Sequence, residues 1–316
     1  MAEQAKTVFI FNPTANGGRS VRWLPLLQEE ARAWTNPGVW RLTQGPDHAR
    51  KLAREAALTG AERVVALGGD GTVNEVLNGL MQASPEQRPV LGVVPVGAGN
   101  DFAFAHGFPT DPVQALKRSL LGAPRFTDLV RVRDDRGREA IWGNTLGIGF
   151  DAVVNLRARR LRFLKGFWRY LVAVLQTLWF HHHPVSMRLV WDGEHAEEEE
   201  VLMLVLCNGP REGGAFLVAP EARPDDGLLH YARIPGVSRL TMLGLVPRVM
   251  KGTHVHHPQV RMGTFRRLHI QAQGPLYIHM DGEVFADFGA PARSLEVELL
   301  PRALRVAGEA ETREHG

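Results

Sequence analysis

Cysteine, lysine and long apolar runs are scarce in this sequence of 316 residues. The single cysteine, Cys207, excludes an internal disulfide and fits a reducing compartment. Only 5 of the 37 basic residues are lysines, so the positive charge is almost entirely arginine, which suits bidentate phosphate contacts. The longest apolar stretch, residues 168–180, is interrupted by Arg169, Gln176 and Thr177. A bilayer-spanning helix needs about 20 apolar residues, so we expect no transmembrane helix.

Common nucleotide-binding and hydrolase motifs are also missing. No lysine follows a glycine, which excludes a Walker A loop. Gly97 and Gly99 lack the third glycine of a dinucleotide fingerprint, because Phe102 holds its place. Residues 147–152 match the looser G-x-G-x-x-A pattern, but no acidic residue follows about 20 positions later. The absence of G-x-S-x-G and H-E-x-x-H argues against serine hydrolases and zinc peptidases, and no nucleic-acid-binding motif accompanies the arginines.

Strand and helix signals alternate in the first part of the chain and then change character. Short apolar runs separated by amphipathic helices, one of them over residues 19–34, are typical of α/β domains. After about Val132, alternating segments predict antiparallel strands, interrupted by one long helix over residues 152–180. We read the run Glu197–Glu200 as a solvated hairpin end.

These signals predict two domains and a tail. The first is an α/β N-terminal nucleotide-binding domain with a mostly parallel sheet, residues 1–133. The second is a C-terminal β-rich domain, antiparallel and sandwich-like, residues 134–300. Residues 301–316 are predicted to be a C-terminal tail, and we expect the active site between the two domains.

Three glycine-rich polar turns follow strands of the predicted parallel sheet. The strongest, Gly68-Gly69-Asp70-Gly71-Thr72, opens a helix, where backbone N–H groups can approach phosphate oxygens. An acid among these glycines would repel phosphate unless a cation bridges them, which points to a magnesium nucleotide. Residues 97–101 and 12–18 form the other two turns. Three such turns at one sheet edge favour a nucleotide cleft over three ordinary structural turns.

Taken in order, the motifs resemble a known family. N-P-x-x-x-G-G, G-G-D-G-T-x-N-E, G-A-G-N-D, G-I-G-F-D-A, A-P-x-A-x-x-D-D-G-L-L and D-G-E are similar to those of the bacterial diacylglycerol kinases, a family that also includes relatives of sphingosine kinases. The match spans about residues 6–300. G-G-D-G-T alone is shared with NAD kinases, so the G-N-D, D-D-G-L-L and D-G-E stretches carry the lipid-kinase resemblance.

The resemblance implies the substrates, the metal and their residues. Glu283 would be the general base, with Asp281 beside it, although Asp-Gly at 281–282 would also suit a plain hairpin turn. The implied catalytic residues are Glu283, Asp281, Asp70 and Asp101. The implied ATP contacts are Asn12, Pro13, Thr14, Ala15, Asn16, Thr43, Gly69, Asp70, Gly71, Thr72, Val73, Asn74, Glu75 and Ala98. The implied magnesium ligands are Asp70, Asp101 and Asp128 at the catalytic site, and Asp225, Asp226 and the carbonyl of Leu228 at a structural site.

Two positions depart from the family pattern. Ala98 stands where the family usually has threonine, which removes a hydroxyl from the loop. Arg223 replaces an acid of the structural magnesium site, and an arginine cannot ligate a cation. Either Asp225 substitutes for that acid, or the guanidinium pairs with Asp226 in place of the metal.

A lipid acceptor implies contact with a membrane. Arg157, Arg159, Arg160 and Arg162 alternate with aromatic residues, which suits an interfacial helix on anionic lipid, while a core helix with a solvated arginine face is the alternative. The apolar run at residues 8–11 is too short for a signal peptide. We therefore expect a cytoplasmic protein, peripheral to the inner face of the membrane, that binds ATP and a lipid with a free hydroxyl but no nucleic acid.

Alternatives stay open at this point. An NAD kinase-like enzyme would phosphorylate a soluble acceptor. A regulator with weakened activity would bind nucleotide and membrane without efficient turnover, as the departures at Ala98 and Arg223 would allow. A homodimer is compatible with the sequence.

Overall fold

The structure is a computed structural model that describes residues 7–34, 38–161 and 166–309. The chain divides into two units. The N-terminal unit contains Met1–Leu129 together with Leu300–Gly316, and the C-terminal unit contains Val130–Leu299. None of the described helices is both long and apolar enough to span a bilayer.

The N-terminal unit is built on a parallel sheet with strand order β4-β3-β1-β2. Every residue of β1 is buried, as expected for a parallel strand covered on both faces. Phe9 and Phe11 of β1 pack with Leu27 of α1 and Leu116 of α5 in one apolar core. The elements in chain order are β1 (Thr7–Phe11), α1 (Leu24–Trp34), β2 (Val39–Leu42), α2 (His48–Leu58), β3 (Arg63–Gly68), α3 (Asp70–Leu80), β4 (Val90–Pro95), α4 (Asp101–Ala105), α5 (Pro112–Leu121) and β5 (Pro124–Asp134).

The C-terminal unit is dominated by antiparallel strands in the order β14-β13-β7-β9-β8-β12-β15, with β10 pairing β9 and β11. This confirms the predicted fold class, a parallel N-terminal sheet followed by an antiparallel β-rich region. Its elements are β6 (Glu139–Trp142), β7 (Thr145–Gly149), α6 (Phe150–Arg160), α7 (Gly166–Phe180), β8 (Val185–Trp191), β9 (His195–Cys207), β10 (Leu229–Pro235), α8 (Arg239–Met250), β11 (Arg261–Phe265), β12 (Arg267–Leu276), β13 (Ile278–Met280), β14 (Glu283–Ala286) and β15 (Ala292–Ala307).

Strand β9 is buried on both faces in its second half. Leu204 and Leu206 belong to a core formed by strands, whereas Met203 and Val205 belong to a second core formed with α6, α7 and α8. Side chains alternate between the two faces of a strand, so a continuous apolar run supplies both cores. Three helices therefore cover one face of this sheet.

Several elements differ from their sequence-based predictions. Helix α1 begins at Leu24, after a 3₁₀ segment over Ala15–Trp23 in which Asn16, Gly17 and Gly18 adopt left-handed backbone angles. The helix predicted over residues 152–180 consists of α6 and α7, and residues 162–165 lie outside the described part of the chain. Helices α4 and α8 were not predicted; α8 contains Pro247, which hides its helical pattern.

The acidic run at residues 197–200 lies on β9 close to its hairpin turn with β8, and Glu198 and Glu200 are exposed as predicted. Glu197 and Glu199 both form ion pairs with the buried Arg233 of β10. Strand β15 continues to Ala307, and its Val306 pairs with Leu91 of β4 inside the N-terminal unit. Residues 301–307 thus form sheet structure where we expected a tail, and residues 310–316 lie outside the described residues.

Candidate active site

Two glycine loops of the N-terminal unit touch at the ends of β3 and β4. A Cβ atom on Gly97 would lie 2.3 Å from the Cα of Gly69, so only glycine fits there. The Asn100 side chain closes the second loop: its Oδ1 accepts from Gly97 N at 3.0 Å and its Nδ2 donates to Gly97 O at 3.1 Å. Ala98 is exposed on this loop. The contact brings together two of the three predicted polar turns.

Asp70 links the same two loops through its carboxylate. Its Oδ1 accepts from the backbone N–H groups of Asp101 at 2.6 Å and Phe102 at 3.1 Å, at the start of α4. Burial raises the pKa of Asp70, and these backbone donors oppose part of that increase. Asp101 is itself buried. A bound cation would stabilise the ionised carboxylate against its burial, so the donor chemistry of Asp70 and Asp101 fits magnesium.

The third polar turn, after β1, is tied to the first by Asn12. Its Nδ2 donates to Thr72 Oγ1 at 2.9 Å, and its Oδ1 accepts from the amide and hydroxyl of Thr14 at 3.0 and 2.8 Å. Pro13, Ala15 and Asn16 belong to the same turn, where Asn16 has a left-handed φ of 52°. Thr43 N donates to Phe11 O at 2.9 Å, which places it next to this turn.

Helix α3, which follows Gly69 and contains Gly71, uses several predicted nucleotide contacts for its own packing. Thr72, Val73 and Asn74 are buried in α3. Glu75 Oε1 accepts from Asp47 N at 3.0 Å and its Oε2 from Ala49 N at 3.0 Å, so Glu75 caps the first turn of α2. This structural role was not visible in the sequence, because the capped helix lies 26 residues earlier in the chain.

Asp128 and the predicted structural magnesium ligands have protein partners. Asp128 Oδ1 accepts from Arg302 N at 2.7 Å. Arg223 pairs with Asp225 at 3.4 Å, not with Asp226, whose Oδ1 accepts from Leu228 N at 3.0 Å. With a guanidinium beside one acid and a backbone amide on the other, this loop does not fit a structural magnesium site.

The Asp281–Gly282–Glu283 turn joins β13 to β14 in the C-terminal unit. The buried Asp281 carboxylate accepts from the backbone N–H groups of residues 143, 144 and 145 at 2.9, 2.9 and 3.0 Å. Glu283 is half-exposed, and its Oε2 lies 2.7 Å from Nη2 of Arg159, which also donates to Gly282 O. Asp281 therefore holds the turn in place, while Glu283 remains accessible.

A buried cluster near this turn was missed by the sequence analysis. Nε2 of the fully buried His279 lies 2.7 Å from Asp151 Oδ2 and 3.0 Å from Glu212 Oε1. Burial alone would lower the pKa of His279, but Glu212 and Asp151 raise it to about 10. Burial also raises the pKa of Glu212, and Asp151 adds to that increase. Among the described residues this is the one His, Cys, Asp and Glu trio whose ligand atoms all lie within 4.8 Å.

The trio has one sequence signal. Asp151 belongs to the G-I-G-F-D-A motif, and a Cβ on Gly147 would lie 1.9 Å from Asp151 Oδ2 and 2.3 Å from His279 Nε2. Gly147, the first glycine of the motif, thus leaves space for the side chains of Asp151 and His279. Glu212 gives no comparable signal, because no motif surrounds it.

A mostly apolar cavity of about 80 Å³ opens beside two members of this cluster. Helices α6, α7 and α8 and strand β9 supply its apolar walls, through residues such as Phe150, Val174, Leu245 and Met203. Its polar lining comes from Asp151, Asn155, Glu212 and Gly213. A cavity of this size can bury part of a hydrocarbon chain and fix its orientation through a few polar contacts.

Comparisons with known proteins agree with this architecture. Residues 6–132 match the family model for the diacylglycerol kinase catalytic domain, and residues 144–308 match the model for the YegS C-terminal NAD kinase beta sandwich-like domain. The chain is 34% identical to a diacylglycerol kinase of Mycobacterium tuberculosis (strain ATCC 25618 / H37Rv) over 270 residues, 85% of this chain and 84% of that protein. The chain belongs to the diacylglycerol kinase and YegS-like lipid kinase family, as the resemblance predicted.

Two further similarities fit the same assignment. A "Probable lipid kinase YegS-like" of Chromohalobacter salexigens is 36% identical over 249 residues, covering 76% of this chain and 75% of that protein. A crystal structure of a diacylglycerol kinase from Bacillus anthracis str. Sterne superimposes with a TM-score of 0.72 at 19% identity, covering 98% of each chain. The structural similarity confirms the fold.

Asp70→Asn should abolish magnesium-dependent kinase activity without unfolding the protein. The asparagine oxygen can still accept from Asp101 N and Phe102 N, but the charge that would hold the cation is lost. Turnover measured across a magnesium titration, with thermal melting, tests this expectation. Asp111→Asn is the matched control, since Asp111 Oδ1 also accepts a backbone N–H, from Gln114 at a helix start. Near-normal turnover of Asp70→Asn with unchanged magnesium dependence would contradict the assignment.

Proposed function

We propose that the protein is an ATP-dependent lipid kinase that transfers the γ-phosphate to a lipid hydroxyl, with diacylglycerol as acceptor and phosphatidic acid as product. The observation that carries the proposal is the cavity of the C-terminal unit, whose walls are apolar apart from one polar region. A soluble acceptor such as NAD would need many more polar partners than this cavity offers. The family of the chain and the relatives named diacylglycerol kinase support the same acceptor.

The nucleotide end of the reaction is assigned to the N-terminal unit. The two touching glycine loops and the turn after β1 would bind ATP, with backbone N–H groups near its phosphates. Asp70 and Asp101 would hold magnesium, and Asp128 would support them from its position on β5. Magnesium, when bound, would neutralise charge on the phosphate oxygens during transfer.

The acceptor end is assigned to the C-terminal unit. Glu283 would take the proton of the attacking hydroxyl, because it is an accessible carboxylate on a fixed turn. Asp281 would act as a positioning residue, since its carboxylate binds three backbone amides. Arg159 would orient Glu283 through their ion pair.

Phosphoryl transfer from γ-labelled ATP to a panel of acceptors tests the proposal. We expect label in diacylglycerol, and none in NAD, when the purified protein, magnesium and detergent-dispersed lipid are combined. Phosphatidylglycerol and sphingosine extend the panel to other lipid hydroxyls. Label only in NAD would establish the soluble-acceptor enzyme instead. If the protein binds nucleotide and vesicles but transfers no phosphoryl group, it would instead be the regulator with weakened activity.

Glu283→Gln should lower kcat at least about 100-fold, because general-base catalysis typically contributes 10²–10⁴-fold. The apparent affinity for ATP should change little, since Glu283 is assigned to the acceptor. Glu139→Gln is the matched control: Glu139 is also a partly exposed strand glutamate paired with an arginine, Arg133. A folded Glu283→Gln protein that keeps more than about a tenth of wild-type kcat would refute the base assignment.

We also propose peripheral binding to a membrane through α7 and α8. Trp168 and Trp179, eleven residues apart on α7, are 65% and 71% exposed, and Leu240 of α8 is 82% exposed. The Arg239 guanidinium lies 5.8 Å from the Trp179 ring centroid and brings positive charge to this apolar face. Large exposed apolar groups with adjacent cations suit the interface of an anionic bilayer.

The arginines of α6 contribute less to this surface than the sequence suggested. Arg157 donates to His181 at 2.8 Å, Arg159 pairs with Glu283, and Arg160 lies over the Phe288 ring at 5.6 Å. Arg162 lies outside the described residues. The proposed membrane contact therefore rests chiefly on the exposed apolar side chains of α7 and α8.

Leu240→Ser should weaken binding to anionic vesicles about tenfold, since burying a leucine side chain contributes about 1.5–3 kcal/mol. Leu58→Ser, the same change at a partly exposed leucine of the N-terminal unit, should leave binding unchanged. Co-sedimentation with vesicles containing phosphatidylglycerol measures both variants. Equal binding by Leu240→Ser and the wild type would show that this face does not meet the membrane.

A further inference from the structure

The polar wall of the cavity presents hydrogen-bond acceptors to whatever occupies it. Asp151 and Glu212 both line the cavity, and the fully buried His279 fixes one oxygen of each. Glu212 Oε2 and Asn155 Oδ1 are buried and have no hydrogen-bond partner among the described residues. Leaving such acceptors unpaired costs about 1–3 kcal/mol each, so the wall suits a ligand with donors.

We propose that Asp151, Glu212 and Asn155 form the subsite for the hydroxyl-bearing head of the acceptor lipid, whose hydrocarbon chain lies along the apolar wall. The proposal rests on the lipid kinase function proposed above and adds the residues that select the head group. In the nucleotide-free protein, a hydroxyl would donate its one proton to either Glu212 Oε2 or Asn155 Oδ1, whereas an ammonium group could donate to both. The hydrocarbon would contact side chains such as Val154, Val174 and Leu245.

The charge of the cluster makes the subsite selective. Two carboxylates share a single imidazole, so the cluster offers no excess positive charge to a ligand. Beside these two partly buried carboxylates a phosphate-bearing head group would be repelled, because like charges interact strongly in a poorly hydrated site. We therefore expect uncharged or cationic lipid heads to be favoured over lipids that already carry phosphate.

A metal ion fits the cluster less well than a hydroxyl donor does. His279 is held protonated, with a pKa raised to about 10, and its Nε2 faces both carboxylates. A cation would have to displace that proton before the imidazole could ligate it. The imidazolium already balances one of the two acids.

Binding of short-chain lipids in the absence of nucleotide tests the subsite. Equilibrium dialysis of the full chain with labelled 1,2-dioctanoylglycerol and with dioctanoyl phosphatidylglycerol should show preferential binding of the uncharged lipid. Glu212→Gln should weaken dioctanoylglycerol binding about tenfold or more. Because phosphatidylglycerol binding should weaken much less, the ratio between the affinities for the two lipids should decrease. Asn155→Leu, which removes the side-chain amide and its Oδ1 acceptor from the wall, should also weaken dioctanoylglycerol binding.

Glu199→Gln is the matched control, because Glu199 is a similarly buried glutamate of the same unit, paired with Arg233 away from the cavity. It should leave the preference unchanged. Equal weakening of both lipids by Glu212→Gln, or a wild type that binds neither lipid, would overturn the subsite. The two proposals can be refuted separately. Preferential binding of dioctanoylglycerol without phosphoryl transfer would refute the kinase function. Phosphoryl transfer without that binding preference would refute the subsite.

Discussion

The close approach of Gly69 and Gly97 is the constraint on which the N-terminal site depends. With a Cβ on Gly97 only 2.3 Å from the Gly69 Cα, the two loops can meet only as bare backbone. The parallel register of β3 and β4, which pairs Gly68 with Pro95, delivers the loops to the same edge. Asp70 can then accept from Asp101 N and Phe102 N, so one carboxylate fixes the start of α4 as well as its own loop. The partly buried Asp70 carboxylate is thereby held by backbone N–H donors of the neighbouring loop.

The hairpin of β13 and β14 organises the C-terminal site in a comparable way. Three ionisable residues within five positions have separate tasks: His279 binds the buried carboxylates, Asp281 binds the backbone of residues 143–145, and Glu283 faces Arg159. A strand alternates its side chains, and the left-handed turn at Asp281, with φ of 48°, redirects the chain before Glu283. Two buried anchors therefore determine where the accessible carboxylate lies.

Local patterns predicted the fold and the glycine loops well, because strand periodicity and turn chemistry act over a few residues. The predicted change from parallel to antiparallel strands appears in the parallel pairing of β3 with β4 and the antiparallel pairing of β7 with β9. Contacts between distant residues could not be predicted from the sequence: Glu75 caps a helix earlier in the chain, and the buried Arg233 pairs with Glu197 and Glu199. The cluster of Asp151, Glu212 and His279 combines residues separated by more than sixty positions, so only the folded sheet brings them together.

The two units present opposite hydrogen-bonding chemistry to their proposed ligands. The glycine loops of the N-terminal unit can offer backbone N–H donors, which suit phosphate oxygens. The cavity of the C-terminal unit offers carboxylate and amide acceptors in apolar walls, which would suit a hydroxyl and disfavour a phosphate. Because unpaired polar groups are costly when buried, each proposed site would disfavour the ligand of the other without any steric barrier. Discrimination between nucleotide and lipid would then depend on hydrogen bonding. The N-terminal loops would need a ligand with acceptors, and the cavity would need a ligand with donors.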